Sequence, residues 1–240
     1  FGHCELGQLK QIAKAAGCKL NDVVLAASTS SLRAYLQRRF EPTDAPLIAS
    51  VPISLHAADD DPARGNRLSM MLIPLPVDMA DPQERLRAIR SACELGKQEH
   101  GRAGGDVVQP LADFLLAAAT PGLLASALEL TSRSRVADRL PPLWNVVVSN
   151  MAGPRVPIYC AGARVKAIYP MGPVVDGVGL NFTVLSNAGN LDVGILACRE
   201  LVDDVEGLTA GFVAGVRELA RIYAVEDTQA ADVGRAGASA

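Results

Sequence analysis

The sequence predicts an α/β domain, a mixed β-sheet flanked by helices, and three observations carry that expectation. Apolar residues recur at helical spacing in several separate stretches. Short runs rich in Val, Ile and Leu, bounded by Pro, Gly, Asn or Asp, stand between them. No internal repeat and no clear linker divides the chain. At 240 residues and 49% hydrophobic it is long enough to bury one core without a staple. A net charge of −3 with that apolar content excludes a disordered chain. The 23 basic residues against 26 acidic ones give no basic footprint, so a nucleic-acid partner is not expected.

Each element follows from local signals. Leu6, Leu9, Ile12, Ala13 and Ala16 share a helical face, and Gly17 ends that helix. Asn21 reads as the N-cap of a second helix with Val24, Leu25, Leu32, Tyr35 and Leu36 inward. Arg38 and Arg39 in its last turn complement the helix dipole. Residues 47–55 (LIASVPISL) read as a strand, 56–66 as a polar loop, and 68–77 as a second strand broken late by Pro74 and Pro76. Asp81-Pro82 opens a third helix to about Glu99, with Leu86, Ile89 and Cys93 inward. A Gly-rich link, 101–106, leads to a strongly helical stretch, 107–130, interrupted at Pro121-Gly122.

Residues 143–149 (LWNVVVS) are nearly all apolar, as in a strand buried on both faces. Residues 158–160 and 164–169 flank Ala161-Gly162 as a hairpin, and 180–185 and 191–197 flank Asn187-Ala188-Gly189-Asn190 as another. A last helix turns Val205, Leu208, Phe212, Val216, Leu219 and Tyr223 inward. From about Glu226 the residues are small and polar, so 1–225 reads as one domain and 226–240 as a disordered tail.

Candidate chemistry is sparse. The five cysteines, Cys4, Cys18, Cys93, Cys160 and Cys198, are scattered without a CxxC pair, which fits buried thiols in a reducing compartment rather than disulfides or zinc. No metal site assembles from the spacing. His56 and Asp60 form an HxxxD match inside a solvated stretch, a weak general-base candidate. No GxSxG elbow exists, and Ser28–Ser31 fall inside a helix, where hydroxyls bond back to the preceding turn. The glycine stretches match no phosphate loop or dinucleotide fingerprint. Asn21-Asp22 before VVLAA is first of all a helix start. Asn150, in the turn SNMAGP after a strand, could face a cleft or merely reverse the chain. Residues 114–128 carry no charge but are too short to span a bilayer. Leu115, Leu116, Leu123 and Leu124 there belong either to a buried helical hairpin or to a lipid-facing element. The chain does not begin with Met and shows no signal-peptide pattern, which reads as a cytoplasmic protein and a trimmed or processed piece.

Six stretches in order, NDVVLAA (21–27), LIASVPISL (47–55), GNRLSMMLIPLPVD (65–78), DPQERL (81–86), NVVVSNMAGP (145–154) and GLNFTVLSNAGNLDVGILACRE (179–200), resemble the C-terminal half of the bacterial wax ester synthase/acyl-CoA:diacylglycerol acyltransferase family. The resemblance spans roughly residues 5–223. It implies one lobe of a two-lobe chloramphenicol-acetyltransferase-like fold with a substrate tunnel between the lobes. The family's catalytic HHxxxDG motif belongs to the N-terminal lobe and does not occur here, so the resemblance implies no catalytic residue in this chain. His56 stands where an arginine is usual, so it is not that histidine.

By the same resemblance the reaction is acyl transfer from acyl-CoA, a substrate, to diacylglycerol or a long-chain alcohol, with no cofactor implied. The implied partners are the N-terminal lobe and a membrane or lipid-droplet surface. Asn21, Asp22 and Asn150 are implied site supports, and Leu115, Leu116, Leu123 and Leu124 tunnel or lipid-facing residues. The rival reading is a non-catalytic lipid-binding or interaction module.

Overall fold

A computed structural model describes residues 1–54, 68–102, 143–174 and 177–225. His56, Asp60, the Leu115, Leu116, Leu123 and Leu124 group and the expected tail at 226–240 lie outside the described residues.

The first helix, α1 (Leu6–Ala16), buries Leu9, Ile12 and Ala13, and Gly17 closes it in the left-handed region at φ 64°. Helix α2 (Leu20–Arg38) is buried along most of its first half, from Asp22 to Thr29. Its start differs from expectation. Asn21 is not the N-cap: Lys19 holds that position, and the Asp22 carboxylate reaches back to accept the Lys19 N–H at 2.8 Å. A carboxylate at the third helical position satisfies the backbone N–H of the N-cap residue, one half of a capping box. Ser28 and Thr29 donate to the Val24 and Leu25 carbonyls one turn earlier, at 3.0 and 2.7 Å.

Six strands form one sheet in the order β1-β8-β7-β4-β2-β3. They are β1 (Gly2–Glu5), β2 (Leu47–Ser54), β3 (Leu68–Leu75), β4 (Val146–Met151), β7 (Leu180–Asn187) and β8 (Asn190–Ala197). β4 runs parallel to β2 and β7; the remaining pairs are antiparallel. The sheet is thus mixed, as expected, though the short edge strand β1 carried no sequence signal. β3 continues through Pro74 because of the ladder beside it. Opposite Pro74 stands Ile48, whose N–H and C=O both face Asn145 at the head of β4. Pro74 therefore occupies a pair that needs no N–H from β3.

Helix α3 (Pro82–Arg102) runs through Gly101-Arg102, so the expected Gly-rich link begins later. Asp81 caps it by accepting from the Gln83 N–H at 2.8 Å. Helix α4 (Val205–Ile222) packs against α2, where the Ser31 hydroxyl donates to the Leu208 carbonyl at 2.6 Å. Arg85 of α3 joins three elements. Its guanidinium donates to the Met79 and Ala80 carbonyls and to the Ser30 hydroxyl, and pairs with Glu218 of α4 at 3.6 Å.

The core lies on one side of the sheet. Ala49, Val51, Met71, Ile73, Leu75, Val146, Val148, Phe182, Val184, Val193 and Ile195 alternate along their strands onto the face that meets the helices. This corrects the expectation of a strand buried on both faces. β4 alternates, with Val146 and Val148 buried and Val147 and Ser149 part-exposed. Two short strands, β5 (Tyr159–Cys160) and β6 (Ala163–Arg164), stand apart as a separate two-stranded sheet. Their turn residues Ala161 and Gly162 both have positive φ, as a two-residue hairpin requires.

Candidate functional site

The face of the sheet turned away from the core is the first candidate. Strand register places Met70 and Leu72 of β3, Ser50 and Pro52 of β2, Val147, Ser149 and Met151 of β4, and Asn181 and Thr183 of β7 on it. Met70, Leu72 and Met151 are 47%, 50% and 42% exposed, high values for large apolar side chains in a sheet. Between them the face turns polar: Ser50 lies beside Val147, and Ser149 beside Thr183. The Ser50 hydroxyl is buried and has no hydrogen-bond partner among the described residues. The β7–β8 half of this face is covered by backbone from residues 168–173, whereas in the β4–β2–β3 half Met70, Leu72 and Met151 are exposed, Val147 and Ser149 part-exposed and Ser50 buried.

The second candidate is the start of α2. Asp22 is 3% exposed and makes no ion pair among the described residues. Oδ2 serves the Lys19 N–H, while the buried Oδ1 has no hydrogen-bond partner among the described residues. Two thiols feel this carboxylate. Burial, and then the Asp22 charge, push Cys93 up to about 12. Burial and Asp22 push Cys18 up to about 11, against the opposing charge of Arg90. Both therefore stay protonated near neutral pH, as does Cys4, which burial takes to about 12. The expected buried thiols are present as Cys4 and Cys93, whereas Cys160 is exposed on the β5–β6 hairpin, where no core covers it.

The structure joins only some of the residues singled out from sequence. Asn21 and Asp22 sit in the first turn of α2; Asn21 is part-buried without a side-chain hydrogen bond among the described residues. Asn150 lies on β4 beside Val184, on the helix-facing side, and no side-chain hydrogen bond links it to the pair. A cleft of about 730 Å³ between β1 and α4, lined by His3, Tyr169, Glu206, Thr209 and Arg217 among others, contains none of the three. Sequence reasoning missed Arg85, Asp192 and Asn187, all buried polar residues. Single polar residues in apolar patterns give no sequence sign of burial; only the burial itself shows that they have a task.

Comparison with known proteins follows the fold. Residues 64–220 match the family described as the WS/DGAT C-terminal domain. The chain is 34% identical over 218 residues to a Mycobacterium tuberculosis protein named "Probable diacyglycerol O-acyltransferase tgs2", covering 89% of this chain and 45% of that one. It is 34% identical over 204 residues to O-acyltransferase WSD of Acinetobacter baylyi, covering 85% and 42%. Among solved structures it matches the wax ester synthase/diacylglycerol acyltransferase from Marinobacter aquaeolei VT8 with TM-score 0.68 and 25% identity, over 93% of this chain and 48% of that one. The epimerization domain from the third module of tyrocidine synthetase B matches with TM-score 0.52 at 10% identity, over 94% of this chain and 48% of that one, a likeness of fold alone. The chain spans about half the length of the relatives it matches.

Proposed function

The chain belongs to the WS/DGAT C-terminal domain family, and from this premise we propose that it is the C-terminal lobe of an O-acyltransferase that moves a fatty acyl group from acyl-CoA to diacylglycerol or a long-chain alcohol. One observation carries the reading. In the β4–β2–β3 half of the sheet face, exposed Met70, Leu72 and Met151 surround part-exposed Val147 and Ser149, an apolar surface with a hydroxyl, suited to an aliphatic chain with a polar reacting end.

In this reading the chemistry needs an N-terminal lobe bearing an HHxxxDG histidine. The acceptor oxygen attacks the thioester carbonyl, its C–O bond forms and the C–S bond breaks, and the histidine carries the hydroxyl proton to the departing CoA sulfur. Acyl-CoA is a substrate, and no further cofactor enters. Asn21, Asp22 and Asn150 support the site from this lobe. For Asp22 that support is structural, since its carboxylate already holds the first turn of α2.

The β5–β6 hairpin is the surface best suited to meet the other lobe. Val156 and Tyr159 are exposed on it, and an isolated two-stranded hairpin is marginal in water without something to pack against. Association with a membrane or lipid-droplet surface on the cytoplasmic side belongs to the same proposal. The described residues contain no helix long and apolar enough to cross a membrane.

The test is ester formation by this chain joined to its N-terminal half, with labelled palmitoyl-CoA and either diacylglycerol or hexadecanol. Labelled ester with either acceptor is the expected result. Lipid bound without ester formation would overturn the reading in favour of a non-catalytic lipid-binding module.

A further inference from the structure

Asp192 on β8 is a buried carboxylate that the proposed chemistry does not use. It is 1% exposed, on the face away from the helices, and makes no ion pair among the described residues. A buried charge is costly unless it is hydrogen-bonded, so its partners show its task. Oδ2 accepts from the Ile168 N–H at 2.7 Å and from Asn187 Nδ2 at 3.0 Å. The first of these bonds ties down a loop backbone.

The same loop is held again further on. Asn181 Nδ2 donates to the Pro173 carbonyl at 3.0 Å, and Thr183 steadies that amide by donating to its Oδ1 at 2.7 Å. Between the two anchors the loop lies directly on the sheet. A Cβ on Gly194 would overlap the Pro170 carbonyl oxygen, and one on Gly172 would come within 2.6 Å of Thr183 Oγ1. Residues 168–173 are thus a strap pinned at both ends across β7 and β8, with glycines where strap and sheet touch. β7 pairs with β4, so the strap ends about one strand spacing, roughly 4.8 Å, from the row of Val147 and Ser149.

We propose that Asp192 is a positioning residue that fastens this strap as the side wall of the acyl site, and that the strap sets the room available to the acyl chain. The proposal rests on the acyl-transfer reading above. It assigns Asp192 no contact with the reacting atoms.

The experiment uses the two-lobe protein with octanoyl-, dodecanoyl- and palmitoyl-CoA, together with hydrogen exchange of the Ile168 amide. Asp192→Ala removes the acceptor. It is expected to speed Ile168 exchange by at least about fivefold, the worth of one ordinary hydrogen bond, and to change the palmitoyl-to-octanoyl ratio of kcat/KM by a similar factor. Asp192→Asn keeps an oxygen for the Ile168 N–H and should hold both readouts near wild type. If Asp192→Ala fails to fold, Asn181→Ser releases the other anchor and should shift the ratio in the same direction.

Unchanged Ile168 exchange in folded Asp192→Ala would overturn the fastening. Faster exchange with every acyl chain slowed by one common factor would overturn the wall and leave a merely structural residue. Absence of ester from the wild-type protein with every acyl-CoA would overturn the acyl-transfer reading and the wall with it, so the two failures are distinguishable.

Discussion

At Asp22 a carboxylate is buried beside two thiols and satisfies one backbone N–H. That makes Asp22, not Asn21, the residue that holds the start of α2. Asp22→Ala should cost about 1–2 kcal/mol in urea unfolding, in the range of lost caps. Asn21→Ala should stay within about 0.5 kcal/mol, as for a residue outside such a feature. Equal losses in the two variants would contradict the assignment. The pair was visible in the sequence and its roles were not: Asn is a favoured cap type and Lys is not, so propensity pointed one residue pair too far along the chain.

The thiols give a pH signature. Cys4 and Cys93 rise to about 12 and Cys18 to about 11, from an ordinary value of 9.0. Between about pH 9 and 11 the folded state keeps protons that the unfolded chain releases. The stability tied to these thiols is therefore complete below pH 9 and is lost as pH rises, by up to about 1.4 kcal/mol per pH unit for each of the buried Cys4 and Cys93, and by less for the part-exposed Cys18. In urea melts at pH 8.5 and 10.5, Cys93→Ala should lose less stability across that interval than wild type. Parallel losses would show that Cys93 ionises as freely in the folded state as in the unfolded chain.

Among the elements, α3 packs Leu86, Ile89 and Cys93 into the core and is tied by the Arg85 side chain to α2 and α4. Arg85→Ala should cost about 1.5–3 kcal/mol, because three part-buried hydrogen bonds from a charged donor, to the carbonyls of Met79 and Ala80 and to the Ser30 hydroxyl, are lost. Arg85→Lys should recover little, since a single ammonium cannot reproduce the planar fork. Full recovery by Lys in thermal unfolding would leave charge alone, not the fork, as the cause. The helices and longer strands were legible because their periods are strong: Leu86, Ile89 and Cys93 are buried as the spacing of α3 required. Strand β4 was misread because continuous Val residues look the same whether one face or two are covered, and coverage is a property of the neighbours. The 164–169 arm of the first hairpin was read as a strand, but β6 ends at Arg164 and the chain passes into the strap held by Asp192. β1 is too short for any period to show.

For the whole molecule, the exposed β5–β6 hairpin is the surface proposed above to meet an N-terminal half. Cys160 reports on the hairpin directly, since it is a free and exposed thiol. Maleimide labelling of Cys160 in this chain should slow by about tenfold or more when the N-terminal half is added, the effect expected of burial at a stable interface. Unchanged labelling in a complex that demonstrably forms would move the contact elsewhere. The family was legible from ordered motifs, while the sheet face proposed to hold the acyl chain was not, because it arises from strand register across β2, β4 and β7.

The central claim is that this chain is a lobe whose chemistry needs a histidine supplied by the other. The most direct measurement is transfer of the labelled palmitoyl group to diacylglycerol and to hexadecanol by the purified chain alone, by the N-terminal half alone, and by the two mixed. The account predicts ester only from the mixture, and its loss when the first or second histidine of the N-terminal HHxxxDG motif is replaced by Ala. Ester formed by the chain alone, and abolished by His56→Ala, would contradict it.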